Sequence, residues 1–324
     1  MTTFKEIRGT AVKSLSSDPT NPESGQLWYN NSIGVLKGYQ LVAATWAAGG
    51  NMGTARYQSM GAGTQTAGLA IGGITGAGTG SATEEYNGSA WTAGGSLATA
   101  RSTNFGAAGT QTEGLAFGGY DGSNNTGATE EYNGTSWTGG GTMGTARRSF
   151  IGCGTQTAGL GFAGFTTANT TATEEYDGSA WTSGGNMSTS RRNLGGLGTQ
   201  TAGLGFGGYA SYATVNVTEE YDGSTWTAGG NLNTGRWSAG GAGTQTAGLG
   251  FGGYVGPNTG ATEEYNGTSW TNSTSMTTAR RFLGGAGTQT AGLAFAGLTT
   301  GAVANTEEYS GAALATKTIT TSTS

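Results

Sequence analysis

Residues 243–270 read GTQTAGLGFGGYVGPNTGATEEYNGTSW, and this stretch decides the fold because near-copies of it recur along the chain. Its first four letters occur six times at intervals of 44 to 46 residues, beginning at Gly63, Gly109, Gly154, Gly198, Gly243 and Gly287. Each GTQT continues into an apolar run that ends in glycine, and such a run is typical of a buried strand. A fixed period of this length indicates one supersecondary unit per copy.

Each copy then carries TEEY, followed in the first five copies by an Asn-Gly or Asp-Gly pair and a tryptophan. The tyrosines are Tyr86, Tyr132, Tyr176, Tyr221, Tyr265 and Tyr309, and the tryptophans are Trp91, Trp137, Trp181, Trp226 and Trp270. Asn-Gly or Asp-Gly between two β-prone runs is the strongest short hairpin signal, because both residues tolerate positive φ. The tyrosine and the tryptophan of one copy are therefore predicted on paired strands.

A Gly-rich bend and a TAR-like segment lead to one more short strand, such as FLGGAGT at 282–288, which makes four strands per copy. Four short antiparallel strands cannot bury both faces alone, whereas radial stacking of such units covers them. The order of a Gly-Gly-ended run, a tyrosine and a tryptophan resembles the kelch repeat over residues 38–316. Two departures are a shorter Tyr-to-Trp spacing and Ala163-Gly164 in place of Gly-Gly. The chain is predicted to be all-β, a six-bladed β-propeller of kelch-like four-stranded blades.

The two ends of the repeat region predict how the ring closes. ATWAAGGNMGTAR around Trp46 matches AWTSGGNMSTSR around Trp181, although it precedes the first GTQT. We therefore expect the Trp46 strand to complete the sixth blade. The predicted organisation is an N-terminal arm and hairpin at 1–37, the propeller at 38–316 and a tail at 317–324.

Composition excludes several function classes. The chain of 324 residues has a formal net charge of −5 and no basic run, so nucleic acid and anionic membranes are not expected partners. It has no histidine and one cysteine, Cys153, so no disulfide, metal site or cofactor is expected. The N-terminus lacks the apolar region of a secretory signal, and no stretch is long and apolar enough to span a membrane. We expect a soluble protein synthesised in the cytoplasm.

The constant charged and aromatic residues are predicted to be structural, joining one blade to the next. Adjacent strand residues point to opposite faces, so the two glutamates of each TEEY diverge, and one of them is expected to meet the repeat arginine between blades. Cys153 is expected to be a small core residue, and Gln65 and its equivalents are expected to bond backbone groups. The predicted inter-blade residues are Arg56, Arg101, Arg147, Arg191, Arg236, Arg280, Trp46, Trp91, Trp137, Trp181, Trp226 and Trp270.

No catalytic residues are assigned, and the chain is not expected to be an enzyme. The kelch resemblance brings the copper radical oxidases into consideration, but their active site needs histidine ligands, which this sequence lacks. Sialidase-type propellers need an arginine cluster with a catalytic tyrosine and aspartate. The arginines that recur once per copy do not indicate such a cluster.

Two zones vary between copies: the residues after the repeat arginine, and the loop before TEEY. In an up-and-down blade the connections from strand two to three and from strand four to the next blade emerge on one face, which we call the variable face. Loops on a rigid scaffold are where binding functions concentrate. The predicted ligand-binding residues are Tyr57, Gln58, Asn104, Tyr120, Asp121, Asn124, Arg148, Phe150, Arg192, Asn193, Tyr209, Tyr212, Trp237, Tyr254, Asn258, Arg281 and Phe282.

Residues 1–37 lie outside the repeat, and Gln26–Asn30 and Val35–Tyr39 are predicted to form a hairpin. The motif GQLWYN at 25–30 resembles N-terminal stretches of bacteriophage virion proteins, where such motifs precede fibre or appendage domains. The resemblance implies a virion protein attached to other virion proteins through 1–37, which could form homo-oligomers on the particle, with its variable face contacting host-surface glycan or protein. Two alternatives stay open: an intracellular kelch-type interaction scaffold, and a capsid or tail decoration without a receptor.

Overall fold

The computed structural model describes residues 12–21 and 23–319, and these residues contain strands but no helix. They belong to two compact units. Unit 1 comprises Met1–Ala44 with Gly311–Ser324, and unit 2 comprises Thr45–Ser310. Within the described ranges, no helix is long and apolar enough to cross a membrane.

Unit 1 is a four-stranded sheet formed by both ends of the chain. In sheet order its strands are β1 (Lys13–Leu15), β2 (Leu27–Asn30), β3 (Val35–Val42) and β30 (Ala313–Thr318). The β2–β3 pair is the hairpin predicted from the sequence, and it buries Trp28 completely against Tyr39, with ring centroids 4.6 Å apart.

The boundaries of unit 1 differ from the predicted ones. Pairing of β3 with β30 runs from Lys37 and Thr318 to Val42 and Ala313. Residues 38–44 and 311–316, predicted to belong to the propeller, are therefore part of unit 1, and 317–318 are strand rather than tail. The reason is that each strand satisfies the backbone groups of the other, a pairing that leaves no signal in either segment alone. The parts of the predicted arm and tail at 1–11, 22 and 320–324 lie outside the described residues.

Unit 2 contains six four-stranded antiparallel sheets, numbered here by GTQT copy. β4 is Thr45–Ala48. Sheet 1 has β5 (Met60–Gly63), β6 (Gly68–Thr75), β7 (Gly78–Tyr86) and β8 (Trp91–Ala93). Sheet 2 has β9 (Gly106–Gly109), β10 (Gly114–Phe117), β11 (Thr129–Tyr132) and β12 (Trp137–Gly139). Sheet 3 has β13 (Ile151–Gly154), β14 (Gly159–Phe162), β15 (Thr173–Tyr176) and β16 (Trp181–Ser183).

The remaining sheets follow the same order. Sheet 4 has β17 (Gly195–Thr199), β18 (Ala202–Phe206), β21 (Thr218–Tyr221) and β22 (Trp226–Ala228), with a small hairpin of β19 (Tyr209–Ala210) and β20 (Ala213–Thr214) between its middle strands. Sheet 5 has β23 (Gly240–Thr244), β24 (Ala247–Phe251), β25 (Thr262–Tyr265) and β26 (Trp270–Ser273). Sheet 6 has β27 (Gly284–Gly287), β28 (Ala291–Phe295) and β29 (Thr306–Ser310), and its outer strand is β4.

The first strands of consecutive sheets are neighbours in space, and the first strand of sheet 6 is next to that of sheet 1. This cyclic contact of four-stranded antiparallel sheets is the arrangement of a β-propeller, so the predicted all-β propeller class is confirmed. The cycle includes β4, which pairs with β29 so that Trp46 lies opposite Tyr309.

Small residues allow the first strands to approach one another. A Cβ added to Gly152 would lie 2.5 Å from the Phe117 ring and 2.8 Å from the backbone of Ala107 in the preceding sheet. The second strands carry the core instead, with side chains such as Leu160 and Phe162 fully buried. The GTQT-and-glycine pattern thus encodes a crowded inner ring and an apolar layer around it.

Candidate functional site

The repeat arginines join consecutive sheets. Arg147 lies on the segment leaving sheet 2, in which Met143 N donates to Gly127 O of the β10–β11 loop at 2.9 Å. Its buried guanidinium pairs with Glu174 of sheet 3 at 2.8 Å. The other pairs are Arg56–Glu84, Arg101–Glu130, Arg191–Glu219, Arg236–Glu263 and Arg280–Glu307. Such buried pairs fix geometry more than they add net stability, because both charges lose their water.

The second glutamate of each TEEY accepts a hydrogen bond from the tyrosine of the next sheet. Tyr176 donates to Glu131 at 2.6 Å, and Tyr86 of sheet 1 donates to Glu308 of sheet 6 at 2.5 Å, which continues the series around the ring. Burial, followed by the bond to Glu131, raises the pKa of Tyr176 to about 12. The paired carboxylates therefore serve two different contacts between sheets.

The tryptophans and glutamines also contact the preceding sheet. Trp137 Nε1 donates to Thr83 Oγ1 at 3.0 Å. Each of the other five repeat tryptophans donates to the equivalent threonine of its preceding sheet. Gln156 Nε2 donates to the carbonyl oxygens of Gly114 and Tyr132, at 3.0 and 2.7 Å. The constant polar side chains are thus engaged in the scaffold, which leaves the variable zones as the candidate site.

The two variable zones are joined by backbone in every copy. Arg148 N donates to Phe165 O at 3.1 Å, and Phe165 N donates back to Arg148 O at 2.7 Å. The equivalent pairs are Tyr57–Ile74, Ser102–Tyr120, Arg192–Tyr209, Trp237–Tyr254 and Arg281–Leu298. Both zones therefore form one continuous surface on unit 2.

Residues in the left-handed conformation set the direction of the chain in the variable zone that follows each repeat arginine. The residue after Arg148 is Ser149, with φ 57°, and the residue after Arg192 is Asn193, with φ 52°. Gln58, Ser238 and Phe282 hold the same conformation after Tyr57, Trp237 and Arg281. Such φ values are uncommon outside glycine, and they recur here because each N–H bonds the preceding copy, as Asn193 N does to Ser149 O at 2.8 Å. The scaffold thereby fixes where each variable residue leaves the sheet.

Arginines and aromatic rings form a continuous series across this surface. Arg148 Cζ lies 5.1 Å from the Tyr120 centroid and 5.3 Å from the Phe165 centroid. Arg281 Cζ lies 4.9 Å from the Tyr254 centroid, and Trp237 contacts both Tyr209 and Tyr254. We call this series the belt, and its members are Tyr120, Arg148, Phe165, Arg192, Tyr209, Trp237, Tyr254 and Arg281. All eight are partly exposed, which is required of residues that meet a ligand.

Asparagines of the preceding loop orient the three belt arginines. Arg148 Nη1 donates to Asn125 Oδ1 at 3.1 Å. Arg192 and Arg281 bond Asn169 and Asn258 in the same way, at 3.3 and 2.9 Å. Within the described part of the chain, no carboxylate lies at ion-pair distance from these three guanidinium groups. They differ in this from the six repeat arginines.

Outside the belt, several of the predicted ligand-binding residues have accessible side chains. Tyr57 lies near Phe282, with ring centroids 6.2 Å apart. Asp121 and Asn124 are exposed in a turn in which Asp121 Oδ1 accepts the N–H of Asn124 at 2.7 Å. Tyr212 is 94% exposed in the β19–β20 hairpin. These residues are accessible to a ligand.

Three predictions of ligand contact are wrong for the side chains concerned. Phe150 is fully buried against Phe117, with ring centroids 5.7 Å apart. Gln58 and Asn104 are also buried. Gln58 and Asn104 have left-handed φ values, and Phe150 follows the left-handed Ser149. At this point the chain turns back toward the first strand of the next sheet. Asn258 holds Arg281 rather than facing outward as a free group.

Sequence reasoning missed Phe165, Asn125 and Asn169. A signal for the two asparagines was present: an Arg-Arg pair occurs at 147–148, 191–192 and 280–281, and the preceding loop holds an asparagine each time. In the other three copies no second arginine follows the repeat arginine, and the preceding loop holds Thr79, Thr214 or Ala302 at the position of the asparagine. Thr79 Oγ1 lies 3.2 Å from Ser102 Oγ. Variation at the two positions is therefore correlated between copies.

A cleft opens beside Arg192, between sheets 3 and 4. Its volume is about 480 Å³, and its lining includes Phe165, Asn169, Arg192, Tyr209 and Tyr212. No group of three or more His, Cys, Asp or Glu residues that could hold a metal ion occurs among the described residues. The arrangement offers hydrogen-bond donors and aromatic faces, which suit binding. No protein-family model and no curated protein sequence matches this chain.

Proposed function

We propose that this protein is a non-enzymatic binding module whose variable face holds a host-surface glycan. The observation that carries the proposal is the belt, in which three arginines contact aromatic rings on a rigid scaffold. Sugar recognition needs planar apolar surfaces together with hydrogen-bond donors. Tyrosine and tryptophan supply both with little conformational entropy to lose, and arginine adds charged donors.

The proposed setting is a phage virion, where 1–37 would attach the propeller to other virion proteins. The support for this setting is the resemblance of GQLWYN at 25–30 to N-terminal stretches of virion proteins. Mass spectrometry of purified particles tests it. Copurification at constant stoichiometry is expected, and absence of the protein from particles would refute the setting.

The binding proposal is tested with a variable-face variant that carries Tyr57→Ala, Arg148→Gln and Trp237→Ala. On an array of bacterial surface glycans, the parent is expected to bind and the variant to lose binding. The matched control carries Thr66→Ala, Glu113→Gln and Thr201→Ala, three exposed residues of the GTQT loops at the opposite ends of the strands. Circular dichroism and thermal melting should show all three proteins folded.

Two other results would redirect the proposal. A blank array at high avidity, together with particles that become fragile without the protein, would select the decoration role. Recovery of one stoichiometric cytosolic partner, with no glycan binding, would select the intracellular scaffold.

A further inference from the structure

The charge of the variable zones is opposite to that of the chain. The formal net charge is −5, but the charged side chains of the two zones are Arg148, Arg192, Arg281 and Asp121. The structure pairs all six repeat arginines with glutamates, so their charges are compensated. The positive charges left without a carboxylate partner in unit 2 therefore collect on one face, where they favour an anion.

The belt arginines are held ready for such a ligand. A guanidinium has five N–H donors in a planar fork, and the hydrogen bond seen for the Arg192 side chain uses one of them, to Asn169 Oδ1 at 3.3 Å. The guanidinium also contacts the rings of Phe165 and Tyr209, whose centroids lie 5.0 and 5.2 Å from Cζ. An anion with two oxygens can accept from the remaining donors at a low entropic cost, because the fork is already oriented.

The cleft at Arg192 is also large enough to hold a sugar ring beside the anion. Its volume of about 480 Å³ falls in the range of about 300–1,000 Å³ that is usual for small-molecule pockets. Tyr212 stands at its edge with 94% of its surface exposed, although it lies at φ 63° in a two-residue loop. Ser190 and Ser211 line the same cleft and add hydroxyl groups. An aromatic face, hydroxyls and a cation together match a sugar that carries a negative group.

We propose that the cleft between sheets 3 and 4 is one subsite of the belt and that it binds an anionic sugar, with the carboxylate or phosphate on Arg192 and the sugar ring against Tyr212. This inference rests on the proposed glycan-binding function and narrows its ligand class. Arg148 and Arg281, each held by an asparagine of the preceding loop, would bind further anionic units of the same polymer.

The test uses the full chain on an array of bacterial polysaccharides, in which each acidic polymer is printed beside its carboxyl-reduced and its dephosphorylated form. Binding is expected to concentrate on acidic polymers and to be lost in one of the two treated forms, which identifies the anion as carboxylate or phosphate. Arg192→Gln is expected to weaken binding by about 10- to 100-fold, the usual effect of removing hydrogen bonds to a charged group. Arg192→Lys should recover part of the loss, since it restores charge without the fork.

The outcomes separate the two proposals. Binding to neutral polymers that survives Arg192→Gln but is lost in the triple variable-face variant would overturn this inference and leave glycan binding standing. Absence of binding to any polymer would overturn both. Equal binding to poly-glutamate would also overturn the inference, because it would show recognition of charge without sugar. Tyr212→Ala should weaken binding to the acidic polymer, and an unchanged affinity would remove the cleft from the site.

Discussion

Arg191 and Arg192 are neighbours in the chain, yet their guanidinium groups occupy opposite environments. Arg191 is fully buried and lies 3.2 Å from the Glu219 carboxylate, whereas Arg192 is partly exposed between two aromatic rings. Burial lowers the pKa of Arg191 to about 10, against the opposing effect of Glu219. One residue thus belongs to the scaffold and the next to the candidate site.

The same substitution at these two positions should therefore separate stability from binding. Arg191→Gln is expected to lower the free energy of unfolding by about 3–5 kcal/mol, because it leaves Glu219 buried without its countercharge. Arg192→Gln should change it by less than about 1 kcal/mol, since no ion pair is lost. Urea unfolding followed by tryptophan fluorescence measures both. Equal destabilisation by the two variants would contradict the assignment.

The tyrosine that bonds the preceding sheet should contribute to stability in a pH-dependent way. Tyr176→Phe removes the O–H that donates to Glu131 at 2.6 Å, and we expect a cost of about 1.5–3 kcal/mol below pH 10. The pKa of Tyr176 is about 12 in the fold against an ordinary value of 10.0, so folding favours the protonated form. Its stabilisation is complete below the unfolded pKa and is lost as pH rises through the folded one.

The difference in unfolding free energy between parent and Tyr176→Phe should thus shrink as pH rises from about 10 to about 12. Urea midpoints at a series of alkaline pH values test this. Tyr212→Phe, at a side chain 94% exposed, is the control and should show no such change. A difference that stays constant to pH 12 would mean that the hydroxyl does not titrate as the fold requires.

Close approach between sheets should make one glycine of each Gly-rich bend irreplaceable. A Cβ on Gly141 would lie 2.0 Å from the carbonyl oxygen of Ser179, in the hairpin turn of sheet 3. We expect Gly141→Ala to cost about 1–3 kcal/mol, as overpacking does. Gly139→Ala is the control, because its added Cβ meets nothing within 4 Å. Thermal melting compares them, and equal midpoints would contradict the predicted clash.

Position 274 shows the same constraint in the chain itself. It is equivalent to Gly141 but holds threonine. The sheet that follows it, sheet 6, has no hairpin turn between its third and outer strands, because its outer strand is β4. The Asn-Gly or Asp-Gly turn whose carbonyl excludes a side chain in the other copies therefore has no counterpart in sheet 6.

The thiol of Cys153 should be inert in the folded protein. Burial raises its pKa to about 12, so little thiolate forms near neutral pH. Ellman's reagent at pH 8 is expected to leave the native protein unmodified and to titrate one thiol in guanidinium chloride. Cys153→Ala should cost less than about 1 kcal/mol, because alanine occupies the equivalent positions Ala62, Ala108, Ala242 and Ala286. Rapid reaction of the native protein would contradict this.

The sequence by itself determined the repeat, the strand order within each copy and the separation of constant from variable positions. It could do so because each strand and hairpin depends on local patterns, such as AGLGFGGY and the Asn-Gly turn, that recur at a fixed period. The divergence of Glu174 and Glu175 likewise followed from the alternation of a strand.

Only the tertiary structure decided which variable residues face outward and which of them act together. Phe150 and Arg148 lie two positions apart, but the left-handed turn at Ser149 sends one into the core and leaves the other in the belt. Asn125 meets Arg148 from a different sheet, 23 residues away. Such contacts depend on the packing of one sheet against the next, which no local pattern encodes.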